Sequence, residues 1–300
     1  AHALFNAEIT DRDGIYETRR DWNTKGWYMV NNPAYTPANG EPERLVTPNA
    51  GLSQATPGGI ITNTALRGTY FGQGGSVNQF NYGQTRDPWM VGGDWEMVQV
   101  NYARALDPSE ERQGVFGRVS YEVGDNTEVF AQLSWNEHAS LGMYNTQTNL
   151  GNVIIRADNA FLPASVRAQA QTLGLTQFNL GTTNADLPIT KTDNERQTER
   201  YVLGANGSFD VSSHEWPRDT YYHRGGTHTT ERARDISNSQ RMALAQDAVF
   251  DPTTGAIVCR SSIANPVNGC VPFNRMGIGV NTPEAVAYVL GNPVREQAFT

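Results

Sequence analysis

The sequence predicts an all-β protein: an antiparallel segment of about five strands from a transmembrane β-barrel, with long extracellular loops that carry short helices. Two observations lead to this fold class. Several stretches alternate apolar and polar residues with the period of two that is typical of strands. The connections between these stretches are alternately very short and very long.

The composition agrees with this class. Only 38% of the 300 residues are apolar, 18% are charged, and the mean hydropathy is −0.52. No window approaches the ~18 apolar residues that a membrane-spanning helix needs. A membrane barrel needs apolar residues only at alternate positions of each strand, so a weak overall hydropathy is compatible with it.

The clearest predicted hairpin is VFGRVSYEVGDNTEVFAQLSW, residues 115–135. Odd positions are apolar and even positions are mostly polar on both arms. The Gly-Asp-Asn-Thr sequence at 124–127 is typical of a turn. Each arm therefore has one apolar face, which contacts either the core of a soluble sandwich or lipid.

Three further strands are predicted from the same alternation. They are ALFNAEI (3–9), ERYVLGANGSFDV (199–211) and, less regularly, RDTYYHRGGTHTTERARD (218–235), which follows a connection at 212–217. Another strand is predicted, on weak alternation, in DWEMVQVNYARAL (94–106).

The long connections cover residues of about 11–113, 140–195 and 236–300. Connections in compact domains have a median of only about 4–6 residues. Short turns at one end and long loops at the other are typical of outer-membrane barrels, which favours lipid as the partner of the apolar faces. The side chains predicted to face lipid are Val119, Tyr121, Val129, Leu133, Trp135, Tyr201, Leu203 and Phe209.

Two short helices are predicted within the long connections. The first, LPASVRAQAQTLG, begins at Pro163, has Leu173 on its apolar face and stops at Gly174. The second has Thr282 as its N-cap and Gly291 as its terminator.

Cys259 and Cys270 are separated by ten residues rich in Asn, Pro and Ser, without a C-x-x-C spacing. This favours a disulfide formed in an oxidising compartment, worth about 3 kcal/mol in the chain-entropy model. The alternative is two free cytosolic thiols.

Charge and motifs exclude several functions. A net charge of −8 without a basic run argues against sequence-independent nucleic-acid binding. H-E-x-x-H, G-x-x-x-x-G-K-[ST] and G-x-S-x-G are absent, and the five histidines are scattered. We therefore predict no catalytic residues, no cofactor and no metal site.

Several longer stretches carry a resemblance to a known family: WNTKGWYMVNNPAY, ADNAFLPASVRA, ERYVLGANGSFD and the cysteine-bearing DAVFDPTTGAIVCRSSIANPVNGCVPFNRMGIGVNTPEAVAYVLG. Along essentially its whole length, the chain resembles the barrel region of TonB-dependent outer-membrane receptors of Gram-negative bacteria. The resemblance implies a barrel of about twenty-two strands around a plug, located in the bacterial outer membrane. It also implies active uptake of a scarce nutrient, powered by the TonB complex through the plug.

The sequence shows no TonB box, no plug and no terminal aromatic strand at NPVREQAFT, so residues 1–300 are expected to be a partial barrel domain that stops in or just after a loop. The remaining strands and the plug are then expected partners. A porin-like passive barrel and a secreted soluble all-β binding module are the alternatives to this reading.

The expected ligand is a small molecule or an oligosaccharide, such as a ferric siderophore or a glycan. The polar, lumen-facing candidates for contacting it are Arg118, Glu122, Gln132, Asn136 and Arg200. Contacts with the plug and between strands are the alternative role for these residues. The aromatic candidates in the first long connection are Trp22, Trp27, Tyr28, Tyr82 and Trp89, because rings stack on sugars and aromatic chelators. Packing of the loops onto one another is the alternative for them.

Overall fold

The computed structural model describes residues 1–16, 18, 20–100, 105–143 and 145–300. Strands make up 51% of the chain and helices 13%, and the strands pair antiparallel, so the predicted all-β, antiparallel class is confirmed. Among the described residues, no helix is both long enough and apolar enough to cross a membrane.

The chain forms twenty strands and five α-helices within these residues. The strands are β1 His2–Arg12, β2 Tyr28–Asn31, β3 Arg44–Thr47, β4 Ala50–Leu52, β5 Ile60–Ile61, β6 Thr69–Phe71, β7 Val77–Gln79, β8 Tyr82–Arg86, β9 Trp89–Gly93, β10 Ser109–Glu122, β11 Thr127–Met143, β12 Asn149–Arg156, β13 Gln177–Thr182, β14 Lys191–Val211, β15 His214–Arg234, β16 Ile236–Ser237, β17 Ala248–Phe250, β18 Ile257–Cys259, β19 Leu290–Gly291 and β20 Val294–Phe299. The helices are α1 Asp21–Thr24, α2 Ala164–Thr172, α3 Ser239–Gln246, α4 Arg260–Ala264 and α5 Pro283–Val289, with a 3-10 helix at Trp95–Val98.

Six long strands form one open sheet in the order β1-β10-β11-β14-β15-β20. The register aligns Phe5, Gly117, Leu133, Tyr201 and Arg224 in a single rung across five of them. Side chains alternate between the faces along each strand. Odd-numbered residues of the first four strands therefore share a face with even-numbered residues of β15.

Two tight turns close the hairpins at one end of this sheet, as predicted. Val123 N–H donates to the Thr127 carbonyl at 2.7 Å, and Gly124 adopts φ +70°. Ser212 and Ser213 have φ of +49° and +70° and connect β14 to β15 as a two-residue turn. The second connection is therefore shorter than the predicted 212–217, and Trp216 lies within β15.

Residues 294–299 form a sixth strand rather than the end of a loop, so the predicted boundary at 236–300 was wrong. β20 pairs with β15 from Thr227↔Phe299 to Arg232↔Val294. Its sequence, VREQAF, has no apolar face and therefore gives no alternation signal. Backbone pairing with the adjacent strand holds it in the sheet.

The three long connections, predicted to be loops, fold together into a globular region. The sheet β12-β13-β5-β6-β7 combines strands from the first and second connections around Phe71, Phe178 and Leu180, all of which are buried. A second buried cluster surrounds Met90. A third lies between α3 and α5. Many of these strands have only two to five residues, too short to show a period.

The two predicted helices are confirmed, with changes at their ends. Helix α2 follows Pro163 and precedes Gly174, which has φ +62°, but Leu173 is the C-cap and is exposed. Helix α5 is capped by Thr282, whose hydroxyl accepts from the Ala285 N–H at 3.3 Å. It ends at Val289 rather than at Gly291, because Gly291 pairs in β19. In 94–106, a 3-10 helix replaces the predicted strand at Trp95–Val98, and 101–104 lie outside the described residues.

Cys259 and Cys270 form the predicted disulfide, with their Cα atoms 6.2 Å apart. Polar contacts also join the second and third connections. The Asp186 carboxylate accepts from the backbone N–H groups of Gly279, Val280 and Asn281 at 2.6, 3.0 and 3.1 Å. The globular region is therefore held by covalent and charge-assisted bonds as well as by its buried clusters.

Candidate functional site

The large sheet has an apolar face, defined as the odd-numbered side of β1, β10, β11 and β14 together with the even-numbered side of β15. Its hydrophobic side chains are exposed: Val119 keeps 57% of its surface, Leu133 48% and Leu203 63%. Core residues such as Ile60 and Phe178 keep 0% and 1%. No described part of the chain buries the apolar face as a core is buried. On it lie all the residues predicted to face lipid: Val119, Tyr121, Val129, Leu133, Trp135, Tyr201, Leu203 and Phe209.

The apolar face has a slanted upper margin. On each strand the apolar run that begins near the turns ends at a polar or charged side chain on the same face: Ile9 is followed by Asp11, Val115 by Gln113, Trp135 by Glu137, Tyr201 by Glu199 and Tyr222 by Arg224. On β11 the face becomes apolar again above Glu137, at Ala139, Leu141 and Met143. The rung that contains Ile9 on β1 reaches His228 on β15. The apolar run of β15 ends at Tyr222, three same-face positions below His228. The margin therefore falls by roughly 20 Å over a lateral distance of roughly 19 Å. This slope of roughly 45° is close to the strand tilt of about 35–45° in membrane barrels.

The height of the apolar band also follows from the register. On β14 the face carries Tyr201, Leu203, Ala205, Gly207, Phe209 and Val211 in succession. These ten residue steps span about 33 Å along the strand, or about 25 Å of height at a tilt of ~40°. Aromatic side chains lie near both margins, with Trp135 and Tyr201 above, and Tyr121, Phe209 and Trp216 below. Aromatic girdles bound an apolar band of about 25 Å in outer-membrane barrels.

The opposite side, which we call the polar face, carries all five residues predicted to face a lumen. Arg118 and Gln132 are direct cross-strand partners, whereas Glu122, Asn136 and Arg200 lie on other rungs. The Arg118 guanidinium binds Glu128 at 2.7 Å and lies 4.3 Å from the centre of the Phe130 ring. These contacts are of the inter-strand kind, which was the alternative to ligand binding for Arg118.

The aromatic candidates divide into packed and exposed residues. Tyr28 and Trp89 have ring centroids 3.6 Å apart, and Tyr82 packs edge-on against Phe80 at 4.9 Å. Burial raises the pKa of the Tyr82 hydroxyl. Trp89 and Tyr82 both contact the cluster around Met90. In contrast, Trp22 and Trp27 keep 57% and 44% of their surfaces exposed.

The polar face also carries a rung of two arginines and a histidine that was not among the predicted site residues. Arg112, His138 and Arg196 are direct neighbours across β10, β11 and β14. Arg112 and His138 lie just beyond the hairpin as it was predicted, 115–135. Extending the pairing of that hairpin by three residues places them opposite each other, so the sequence did contain a usable signal.

Among the described residues of the globular region, Arg275 is a deeply buried cation, of which 5% is exposed. Its Nη2 donates to the Asn149 side-chain oxygen at 2.6 Å, and its Nε has no partner among the described residues. Burial lowers the pKa of this guanidinium to about 10. The described residues contain no group of three or more His, Cys, Asp or Glu side chains placed to hold a metal ion.

The fold and its surfaces define a class: an open antiparallel sheet with one exposed apolar face and one polar face, joined to a globular region made of its long connections. We compared the chain with protein-family models, with curated proteins and with solved structures, and none of the three comparisons gave a match.

Proposed function

We propose that this chain is a segment of an outer-membrane β-barrel receptor of the TonB-dependent kind, which binds a bulky nutrient such as a ferric siderophore or a glycan and admits it to the cell. The slanted apolar band is the observation that carries the proposal. A soluble protein rarely exposes a contiguous apolar patch beyond a few hundred Å². Contact with lipid would satisfy such a band, and its height and slope match those of tilted strands in a bilayer.

The edges of the large sheet support the presence of further strands in the complete barrel. Within the described residues, β1 pairs on one side only, and β15 pairs with β20 only through Thr227–Arg232. The stretch His214–Gly226 of β15 thus has a free edge. Long free edges promote unwanted pairing, and closure into a barrel removes them. Additional strands at these edges, and a plug against the polar face, complete the proposed receptor.

The position of the globular region fits capture of a ligand outside the cell. All three long connections leave the large sheet at the end opposite the two tight turns. In outer-membrane barrels the long loops are extracellular and the tight turns are periplasmic. The disulfide agrees with an oxidising location. The proposal assigns binding and passage to the chain and no catalytic step.

Quenching of tryptophan fluorescence by brominated lipids tests the proposal. Trp135 and Trp216 lie on the apolar face, whereas Trp22 and Trp27 lie in the globular region. In vesicles, we expect brominated acyl chains to quench part of the emission. W135F/W216F should remove that quenched part, and the matched control W22F/W27F should leave it in place.

Two results would contradict the proposal. One is a monodisperse protein in detergent-free buffer whose emission brominated vesicles do not change, which would favour the secreted soluble module. The other is quenching that disappears in W22F/W27F and persists in W135F/W216F, because that would place the globular region in the bilayer.

A further inference from the structure

The rung formed by Arg112, His138 and Arg196 brings two guanidinium charges together on the polar face. Directly opposed side chains on adjacent strands have Cβ atoms roughly 4.5–5.5 Å apart, so the two arginines are separated by roughly 10 Å with the histidine between them. Like charges so arranged destabilise a sheet. Arg200 adds a third guanidinium two rungs below, on the same face and strand as Arg196.

These three guanidinium groups form no ion pair within the described part of the chain. The carboxylates nearest to the rung are largely engaged elsewhere. Glu110 lies 3.9 Å from His138 Nε2 but also binds Arg12 at 3.2 Å. Glu231 is 3.9 Å from Arg295.

Glu8 lies one rung below and accepts a hydrogen bond from Thr10 at 3.4 Å. Of the described carboxylates near the rung on this face, it is the one that has no arginine partner. The two arginines of the rung thus have one free carboxylate beside them, Glu8, which leaves an excess of positive charge.

The sheet leaves space beside the rung. A cavity of about 120 Å³ is lined by Arg112, His138 and Arg196, by Glu8, Gly114, Asn136 and Thr198 of the rung below, and by Gln113 and Glu137. A Cβ at position 114 would lie 2.7 Å from the Asn136 side-chain oxygen, so glycine keeps this space open.

The lining is suited to an oxyanion. Guanidinium groups donate in a planar fork that matches carboxylate and phosphate oxygens. The Thr198 hydroxyl and the Asn136 amide can supply further hydrogen bonds.

We infer that this rung is an anion-binding subsite, formed by Arg112, Arg196 and His138, for a small ligand that carries carboxylate or phosphate groups. The inference rests on the proposed function and deepens it, since it specifies the chemistry of the ligand that the polar face would receive. An oxyanion between the two arginines offsets their mutual repulsion and uses donors that the protein leaves free. Neutral glycans lack the charge that this subsite selects.

Titration calorimetry of the purified full chain in detergent tests the subsite, with citrate and inorganic phosphate as probes and sucrose as the neutral control. We expect both anions to bind, sucrose not to bind, and affinity to fall as salt is added. R112Q/R196Q should weaken citrate binding by about 100-fold, because two charge-assisted contacts are lost. R44Q/R224Q removes the same charge from exposed arginines outside the rung and should leave the affinity unchanged.

The inference is overturned if neither anion binds at millimolar concentration, or if R112Q/R196Q and R44Q/R224Q weaken binding equally. Equal weakening would indicate a response to net charge only. Circular dichroism of both variants checks that the sheet is intact. Failure here combined with lipid quenching of Trp135 and Trp216 would reject the subsite and keep the proposed receptor. Anion binding without lipid quenching would do the reverse.

Discussion

Replacing Leu133 with arginine should reveal whether the apolar face contacts lipid. Leu133 points to that face, whereas its neighbour Gln132 points to the polar face, so L133R and Q132R introduce the same charge one residue apart on opposite sides of β11. On β11 the band extends from the turn near Thr127 to Trp135, which places Ala131 at its middle.

The expected magnitude follows from this depth. Leu133 is one same-face position above Ala131, which is about 5 Å of height for a tilted strand. An arginine facing lipid costs about 2–4 kcal/mol at the midplane and about 0–1 kcal/mol near the interface. We therefore expect about 2 kcal/mol for L133R, more for A131R, and less than about 0.5 kcal/mol for Q132R.

Reversible urea unfolding of the chain in lipid vesicles measures these free energies. The depth order, with A131R costing more than L133R, distinguishes a lipid environment from a general intolerance of charge. Equal costs for L133R and Q132R, or a tolerated A131R, would refute the assignment of the apolar face to lipid.

Three further predictions concern the globular region. R275M should stabilise it at pH 7 by up to about 3 kcal/mol in thermal unfolding, because burial lowers the pKa of the guanidinium to about 10 and so disfavours its charged form in the folded state. The wild-type protein should close that gap as the pH rises above about 10, and a destabilised R275M would contradict the argument. C259S/C270S should lower the unfolding free energy by about 3 kcal/mol. Reductant should produce the same loss in the wild-type protein and no further loss in the variant. D186N should lower the free energy of unfolding by about 2–3 kcal/mol and expose the 279–281 segment to hydrogen exchange, because an amide NH₂ replaces an oxygen that accepts N–H donors. The control D125N, in the β10–β11 turn, should change the free energy of unfolding little.

The elements that could be predicted from the sequence are those with a long period of two. The hairpin of β10 and β11 and the strand β14 combine alternation with turn residues, and both signals act locally. The Cys259–Cys270 disulfide was also predictable, from the spacing and composition of its loop. The all-β class followed from these few elements.

The globular region was not predictable in the same way because its sheet is assembled from distant segments. Strand β5 has two residues and pairs with β13, more than a hundred residues along the chain, through Leu180↔Ile61. The apolar runs GGIITNTAL and NVIIRA were visible in the sequence, but nothing in either run specifies β13 as the strand that pairs with both. Tertiary contact, and not local period, decides such strands.

The candidate anion subsite was missed for a different reason. Strand limits were set where apolar alternation stopped, whereas hydrogen-bonded pairing continues for several residues beyond that point. Arg112 and His138 pair in this continuation, above the slanted margin of the band. Register, once it is known from a hairpin, extends farther than hydrophobicity and brings polar side chains together.

The low apolar content of the chain is explained by its division into two populations of hydrophobic residues. In the globular region residues such as Phe71 and Ile60 are fully buried, and burial of apolar surface stabilises that region by about 25 cal/mol per Å². On the large sheet residues such as Leu203 and Ile9 stay exposed at 63% and 82%, and so contribute nothing comparable in water. A soluble fold would have little reason to align such residues in one band across five strands with a margin that descends from β1 to β15. The proposed contact with acyl chains would supply that reason, since a bilayer imposes a flat boundary on strands that cross it at an angle.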